Sequence, residues 1–194
     1  MKRKIVVAVM VVAGLAALSL TGCVSPNSIL GGILGCKAVH EVSLTCTSPT
    51  PGSLHCKVQT QGINAIESLL FWSEQTGEPL WAITIAPTAV EPKDLAEIVY
   101  GVLPDVPDEP QLRRVRQAFP AEGKPRQIAP GERFFVSVVY QYDEPLTPCG
   151  GKKSFGFEVQ KDGSIQALPA CDHVDLPPAV EKLEIKMSGP ESVE

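Results

Sequence analysis

Apolar side chains recur at every second position over much of this 194-residue chain. The clearest run covers residues 134–142, where Phe134, Val136 and Val138 point one way if the segment is extended and the residues between them point the other. A period of two lines the faces of a β-strand, whereas a helix would scatter the same side chains around its axis. The pattern therefore predicts an all-β fold, an antiparallel β-sandwich over residues 37–187.

Turn-forming residues separate the predicted strands and indicate hairpins. Asp162-Gly163 stands between an alternating run at residues 154–159 and Ile165, and an Asp-Gly pair favours a tight hairpin turn. Two earlier hairpins are expected on similar grounds: residues 42–46 with 54–59 around 48–52, and residues 69–72 with 80–85 around 74–78.

The sequence also predicts the positions of the two tryptophans and the structure of the segment that follows the hairpin of residues 69–72 and 80–85. Trp72 and Trp81 lie on the two arms of that hairpin, and we expect them to form a core pair rather than a ligand platform. Residues 92–101 fit either a helix or a strand. The β-branched and aromatic run at 98–100, followed at once by Gly101, favours the strand.

The remaining segments are less regular. Residues 104–126 are polar and rich in proline, and we expect a long loop that holds one short helical turn. Near the C-terminus, Leu183, Ile185 and Met187 alternate with charged residues, which predicts a last edge strand. Residues 188–194 lack apolar content and are expected to be disordered.

The N-terminus has the organisation of an export signal. Residues 2–4 are basic, and residues 5–20 carry no charge. A membrane span usually needs about 20 apolar residues, and this run ends directly in Leu20-Thr21-Gly22-Cys23. The ending resembles the lipobox of bacterial lipoproteins, in which an aliphatic residue and two small residues precede a cysteine.

The lipobox resemblance implies a lipid anchor on Cys23, with palmitate-type acyl chains, after cleavage behind Gly22. Residues 1–22 are then a signal peptide and residues 23–36 a tether, and two or more acyl chains hold the protein on the membrane. An ordinary secretory signal or an uncleaved anchor is the alternative. Val24 and Ser25 lack the aspartate of the inner-membrane retention signal, so the outer membrane is favoured in a Gram-negative source.

The charge of the mature chain argues against nucleic-acid binding. Cleavage behind Gly22 leaves 14 Lys and Arg residues against 22 Asp and Glu residues, a net charge of −8. Binding to nucleic acid requires a net basic face that neutralises phosphates. We therefore expect no nucleic-acid partner.

Five cysteines remain once Cys23 carries lipid, and outside the cytoplasm disulfides are the default. Cys46 and Cys56 are equidistant from the turn near residue 51, and Cys149 and Cys171 flank the Asp162-Gly163 hairpin. These spacings predict the bridges Cys46–Cys56 and Cys149–Cys171. Cys36 is left over, either free, bridged to a partner chain, or exchanging into the first pair.

Metal-binding and catalytic motifs are scarce. The cysteines and histidines show no Cys-x-x-Cys, His-x-His or His-x-x-x-His spacing, so we expect no metal and no cofactor. His40, His55 and His173 are the three histidines, and there is no Gly-x-Ser-x-Gly nucleophile motif. Hydrolytic catalysis has no support from these residues, and no catalytic residue is assigned.

One basic cluster is a possible contact for an acidic partner. Arg113, Arg114 and Arg116 lie together, with further basic residues nearby in the sequence. They serve either as solubilising charge on a loop or as a contact for a lipid headgroup, an anionic glycan or a partner protein.

A second resemblance concerns residues 128–134. Ile128, Pro130 and Phe134 resemble the entry to the penultimate strand of fibronectin type III domains, where an aliphatic residue, a proline and an aromatic residue pack at a corner. Phe134 stands where the family usually has tyrosine, so the corner hydroxyl is absent. The resemblance implies an immunoglobulin- or fibronectin-like β-sandwich and implies nothing about function.

Together these features predict a non-enzymatic, lipid-anchored binding or assembly module of the cell envelope, with an unknown envelope protein or glycan as partner. An envelope enzyme whose site shows no linear motif is one alternative. A small inhibitor or immunity-like protein that blocks an envelope target is another. A pocket with converging polar groups would favour the enzyme, and a flat apolar patch with a polar rim would favour the two binding functions.

Overall fold

The computed structural model describes residues 41–50, 52–85, 95–104, 115–143, 148–169 and 174–188. The predicted signal peptide 1–22, the tether 23–36 and residues 189–194 lie outside these ranges. Within them, the chain forms nine β-strands and one helix. No helix in this part of the chain is both long enough and apolar enough to span a membrane.

The strands form two antiparallel sheets, which confirms the predicted all-β sandwich. The small sheet has the order β1-β2-β5, formed by Glu41–Thr47, His55–Gln61 and Glu97–Val99. The large sheet has the order β6-β4-β3-β7-β8-β9, formed by Val115–Phe119, Pro79–Ile85, Ala65–Ser73, Arg133–Asp143, Pro148–Val159 and Ile165–Ala167. The helix, α1, covers Pro178–Ser188.

A single apolar core lies between the two sheets, on the inner face of the large sheet. In β7, Phe134, Val136 and Val138 are fully buried, as the alternation predicts. The other main contributors are Val42, Leu44, Cys56 and Val58 from the small sheet and Leu69, Phe71, Trp81 and Ile83 from the large sheet. Burial of apolar area at about 25 cal/mol per Å² makes this core the main source of stability.

The outer face of the large sheet carries a second apolar cluster. Leu70, Trp72 and Ala82 are buried there against Val180 of α1, with Leu183 and Met187 packed around them. Because both faces of the large sheet are covered, nearly every residue of β3 is buried. The molecule therefore has three layers, namely the small sheet, the large sheet and the C-terminal helix.

The tryptophans do not form the expected core pair. Trp81 lies opposite Phe71 in the β3–β4 pairing, and their ring centroids are 5.4 Å apart in the inner core. Trp72 follows Phe71 in the chain and so points to the outer face, where it stacks on Phe135 at 4.7 Å. Both tryptophans are buried, but the sheet separates them.

The predicted C-terminal edge strand is wrong, because residues 178–188 form α1. Val180, Leu183 and Met187 are spaced three and four residues apart, so they share one helix face and pack on the outer cluster. Ile185, which the strand would have placed beside Leu183, is 67% exposed. Proline is tolerated in the first turn of a helix, so Pro178 can begin α1.

The predicted loop with a short helical turn at 104–126 is also wrong in part. Residues 115–119 form the edge strand β6, which pairs with β4. Gln117 secures this edge, because its Oε1 accepts a hydrogen bond from Trp81 Nε1 at 3.1 Å and its Nε2 donates to Pro120 O at 2.7 Å. Val115 and Phe119 have near-helical spacing, but the segment forms a strand because the backbone N–H and C=O groups on this side of β4 require hydrogen-bond partners.

The three predicted hairpins are present as β1–β2, β3–β4 and β8–β9. Gly163 has φ of +84° in the β8–β9 turn, a conformation that glycine adopts without steric cost. Residues 97–99 form β5, so the strand preferred over a helix for this segment is confirmed.

Candidate functional site

The described residues form an open pocket of about 360 Å³ at one end of the sandwich. Its walls come from both sheets, because β1 ends here, β2 begins here, β5 ends here and the β8–β9 turn closes the side. The lining residues are Ser48, Gly52, Ser53, Leu54, Tyr100, Gln127, Ile128, Pro130, Val159, Lys161, Asp162, Gly163 and Ile165.

The floor of the pocket is apolar. Leu54 and Val159 belong to the inner core and are 6% and 7% exposed. Ile128, Ile165 and the ring of Tyr100 pack against the same core while part of each remains accessible. The pocket is therefore the open end of the core, so an apolar group that entered it would extend the packing already present.

Most polar groups at the rim are hydrogen-bonded within the protein. The hydroxyls of Ser48 and Ser53 both donate to Thr50 O, at 3.0 and 2.9 Å. Asp162 Oδ1 accepts from the N–H and the hydroxyl of Ser164, at 2.9 and 2.7 Å, and these bonds lower the pKa of the Asp162 carboxyl. These contacts fix the shape of the turns rather than leave groups ready for a ligand.

Two rim side chains can still donate hydrogen bonds. Among the residues that the structure describes, none accepts a hydrogen bond from Lys161 Nζ or from the side-chain amide of Gln127. Both side chains are exposed at the mouth of the pocket. The rim therefore offers an ammonium and an amide above an apolar floor.

An ion pair between a buried glutamate and a partly exposed arginine supports the wall of the pocket. Glu132 is 6% exposed, and its carboxylate accepts two hydrogen bonds from the Arg126 guanidinium, from Nη1 at 2.9 Å and Nη2 at 2.5 Å. Glu132 Oε2 also accepts from the Ala129 N–H at 3.1 Å. The Arg126 hydrogen bonds hold the pKa of Glu132 at about 2, well below its usual value, so the carboxylate stays charged.

Tyr100 connects this ion pair to the pocket floor. Its hydroxyl donates to the backbone oxygen of Arg126 at 2.9 Å, and its ring contacts those of Phe71 and Trp81 at 5.3 and 5.6 Å. Burial raises the pKa of Tyr100, so the phenol remains protonated and keeps this bond. Two sets of contacts thus fix segment 126–132. Tyr100 binds it from the core, and Glu132 binds Arg126 and Ala129 within the segment itself.

The Cys46–Cys56 disulfide is present, as predicted. The two residues are directly opposite in the β1–β2 pairing, with their Cα atoms 4.1 Å apart, and both are buried. Cys149 lies on β8, but Cys171 lies outside the described residues, so the second bridge stays a prediction. Cys23 and Cys36 also lie outside them.

The basic cluster does not contribute to the pocket within the described part of the chain. Arg116 is exposed on β6, at the edge of the large sheet opposite β9, and it does not line the pocket. Arg113 and Arg114 lie outside the described ranges. Arg126, which belongs to the same basic region of the sequence, instead binds Glu132.

Metal ligands do not cluster in the described ranges, where no group of three or more His, Cys, Asp and Glu residues could hold an ion. Of the histidines, His55 is described. Its Nδ1 lies 3.4 Å from Glu97 Oε1 on the next strand of the small sheet. His40 and His173 lie outside the described residues.

Sequence reasoning missed the Arg126–Glu132 pair and the two free donors of the rim. Arg126 stood in a polar, proline-rich segment, where a lone arginine gives no sign that it is paired. The nearby Pro130-Gly131 turn is the one local signal, because it brings residues on its two sides close together. The pairing and the burial of Glu132 depend on tertiary contacts of this segment, such as the hydrogen bond from the Tyr100 hydroxyl to Arg126 O.

Comparisons with known proteins assign no family. No protein-family model, curated protein or solved structure matches the chain. The resemblance to fibronectin type III domains is therefore supported only by the residues of this chain that carry it. Phe134 is fully buried and Ile128 packs against the same core, while Pro130 lines the pocket.

Proposed function

We propose that this chain is a lipid-anchored, non-enzymatic binding or assembly module of the cell envelope, and that the pocket between the two sheets is its binding site. The observation that carries the proposal is an accessible apolar floor joined to the core, with exposed donors at its rim. Such an arrangement can bind a partner without a reaction.

The pocket wall is held by hydrogen bonds, which supports a role in binding rather than a gap between flexible loops. Segment 126–132 is fixed by the Arg126–Glu132 pair and by Tyr100, and the β1–β2 turn by the hydrogen bonds of Ser48 and Ser53. A preformed site avoids the entropy of ordering loops when the ligand binds.

The direction of β1 agrees with an anchor at Cys23. The chain enters β1 at Glu41, and Ser48, just after the end of β1, lines the pocket. A strand of seven residues spans about 23 Å at 3.3 Å per residue. The pocket and Glu41, the first residue of β1, are therefore at opposite ends of that strand. In a Gram-negative source the outer membrane is the proposed location.

The proposed anchor is tested by metabolic labelling with palmitate. Cys23→Ser should abolish labelling and leave the unprocessed precursor, while Cys36→Ser, a matched change near the same terminus, should leave labelling intact. Labelled Cys23→Ser protein would overturn the lipoprotein assignment.

The proposed binding site is tested by a photoreactive amino acid with a small aliphatic diazirine side chain, which is no bulkier than glutamine, placed in the full-length protein in living cells. At position 127 on the pocket rim, we expect a discrete crosslinked product. At position 181, an exposed site on α1, we expect none. Absence of a product at 127, or the same product at both positions, would overturn the assignment of the pocket.

A further inference from the structure

We infer that the pocket binds an apolar group with an adjacent carboxylate, as at the carboxyl terminus of a peptide or in a small apolar acid. This inference rests on the proposed binding function and specifies the chemistry of the ligand. Its basis is the division of the pocket into an apolar floor and a donor-bearing rim.

The floor selects for an apolar group. Leu54, Val159 and Ile165 present aliphatic carbon to the pocket, and the Tyr100 hydroxyl is already bonded to Arg126 O. A polar group on the floor would lose its water without gaining a partner there, which costs free energy. An aliphatic or aromatic group gives up no hydrogen bonds to water there, and its apolar area is buried.

The rim selects for an acceptor, and preferably for an anion. The hydroxyls of Ser48 and Ser53 already donate within the β1–β2 turn, whereas Lys161 and Gln127 donate to none of the described residues. These two side chains are the available donors for a carboxylate at the rim, and hydrogen bonds to ionised groups are roughly twice as strong as neutral ones.

The neighbouring charges leave the Lys161 ammonium as the main attraction for an anion. The Arg126 guanidinium is neutralised by Glu132. The Asp162 carboxylate accepts two hydrogen bonds from Ser164, which draws one of its oxygens into the turn. The other oxygen of Asp162 disfavours a ligand with several negative charges, so a single carboxylate fits better than a phosphate.

The size of the pocket limits the ligand. A volume of about 360 Å³ is near the lower end for small-molecule sites. It accommodates one apolar side chain with its backbone rather than a long segment. Capture of a chain terminus is a known mode of peptide recognition, and it does not require a groove longer than this pocket.

The test uses the full chain, purified in detergent, and three probes. The probes are acetyl-Ala-Ala-Leu with a free carboxylate, the same peptide as its carboxamide, and 3-phenylpropionate. We expect the free carboxylate peptide to bind at least tenfold more tightly than the carboxamide. If the peptide acid binds and 3-phenylpropionate does not, the source is a peptide terminus. If 3-phenylpropionate binds as well as the peptide acid, the source is a small apolar acid.

Two variants assign the binding to this pocket. Lys161→Met should weaken binding of the peptide acid about tenfold, the effect of losing one charge-assisted hydrogen bond, and should weaken binding of the neutral carboxamide much less. Lys57→Met, an exposed lysine on the small sheet, should have no effect. Gln127→Trp, which fills the mouth, should abolish binding of every probe.

The failure of this inference is distinct from failure of the proposed function. Equal binding of acid and carboxamide, or an unchanged affinity in Lys161→Met, overturns the carboxylate specificity. If no probe binds while position 127 still crosslinks in cells, the pocket is a binding site for other chemistry, such as a glycan, and the inference is wrong.

Discussion

The two faces of the six-stranded sheet are both buried, but they are closed in different ways. The inner face is covered by a second sheet, so its cover is itself held by backbone hydrogen bonds and by the Cys46–Cys56 disulfide. The outer face is covered by α1, which contacts it through side chains such as Val180 and Leu183. The inner cluster is also much the larger.

This difference indicates that the inner face defines the fold and the outer face adds a locally removable layer. A short helix that leaves its neighbours gives up few backbone hydrogen bonds to other elements. A strand that leaves a sheet gives up a whole ladder of them. The following predictions test this division.

The largest effect is expected from Trp81→Ala on the inner face. Trp81 is fully buried and its indole donates to Gln117. We expect a loss of about 4 kcal/mol in the free energy of unfolding. Trp72→Ala should cost about 3 kcal/mol, at the low end for such cavities, because α1 can shift to fill the space. Urea unfolding measures both, and an equal or larger loss for Trp72→Ala would contradict the division.

The next prediction concerns the helix alone. Lys182→Pro places a proline inside α1, where it removes a hydrogen bond and costs about 3 kcal/mol of helix stability. Lys182 is exposed, so Lys182→Ala is the matched control. In hydrogen exchange, we expect the amides of α1 to lose protection while those of β7 and β8 keep theirs. Global loss of protection would show that both faces belong to one cooperative unit.

A smaller effect is expected at the pocket end of the inner face. Glu132→Gln keeps the shape of the side chain but removes the charge that binds Arg126, and should cost about 2 kcal/mol at neutral pH. This is less than for a fully buried pair, because the Arg126 side chain is 45% exposed. Thermal or urea unfolding at pH 7 measures the loss.

The pH dependence of the Glu132 effect has a defined sign. The pKa of Glu132 is about 2 in the folded protein against a usual value of 4.5. The carboxylate therefore stabilises the fold fully above about pH 5, and this contribution is lost as the pH falls from there towards 2. The stability difference between wild type and Glu132→Gln should shrink over that interval. A difference that stays constant would show that the ion pair is not its source.

The smallest effect is expected from the ion pair that joins the helix to the sheet. Lys152 Nζ lies 3.0 Å from Glu184 Oε2, and the lysine side chain is 38% exposed. Lys152→Met should change the free energy of unfolding by about 0.5 kcal/mol or less, because exposed ion pairs contribute little. A larger loss in urea unfolding would mean that charge, rather than apolar packing, holds α1 in place.

The candidate site could be predicted from the sequence only in part. The turn residues at 48–52 and at Asp162-Gly163 were recognised, and both turns form walls of the pocket. That these turns lie at the same end of the sandwich depends on how the two sheets pack. The pairing of Arg126 with Glu132 depends on the same packing, and neither residue carries a distinctive local pattern.

The sequence by itself determined the strands and their turns, because strand alternation and turn chemistry act between near neighbours in the chain. It also determined the Cys46–Cys56 pairing, since equal distance from a turn fixes the register of a hairpin. Only the tertiary structure decided that residues 178–188 form a helix, because Leu183 and Met187 fit a strand or a helix equally well until an apolar surface is there to cover. Likewise, only the tertiary structure decided that Trp81 lies on the inner face and Trp72 on the outer face, because both faces of the large sheet are buried and both side chains are apolar.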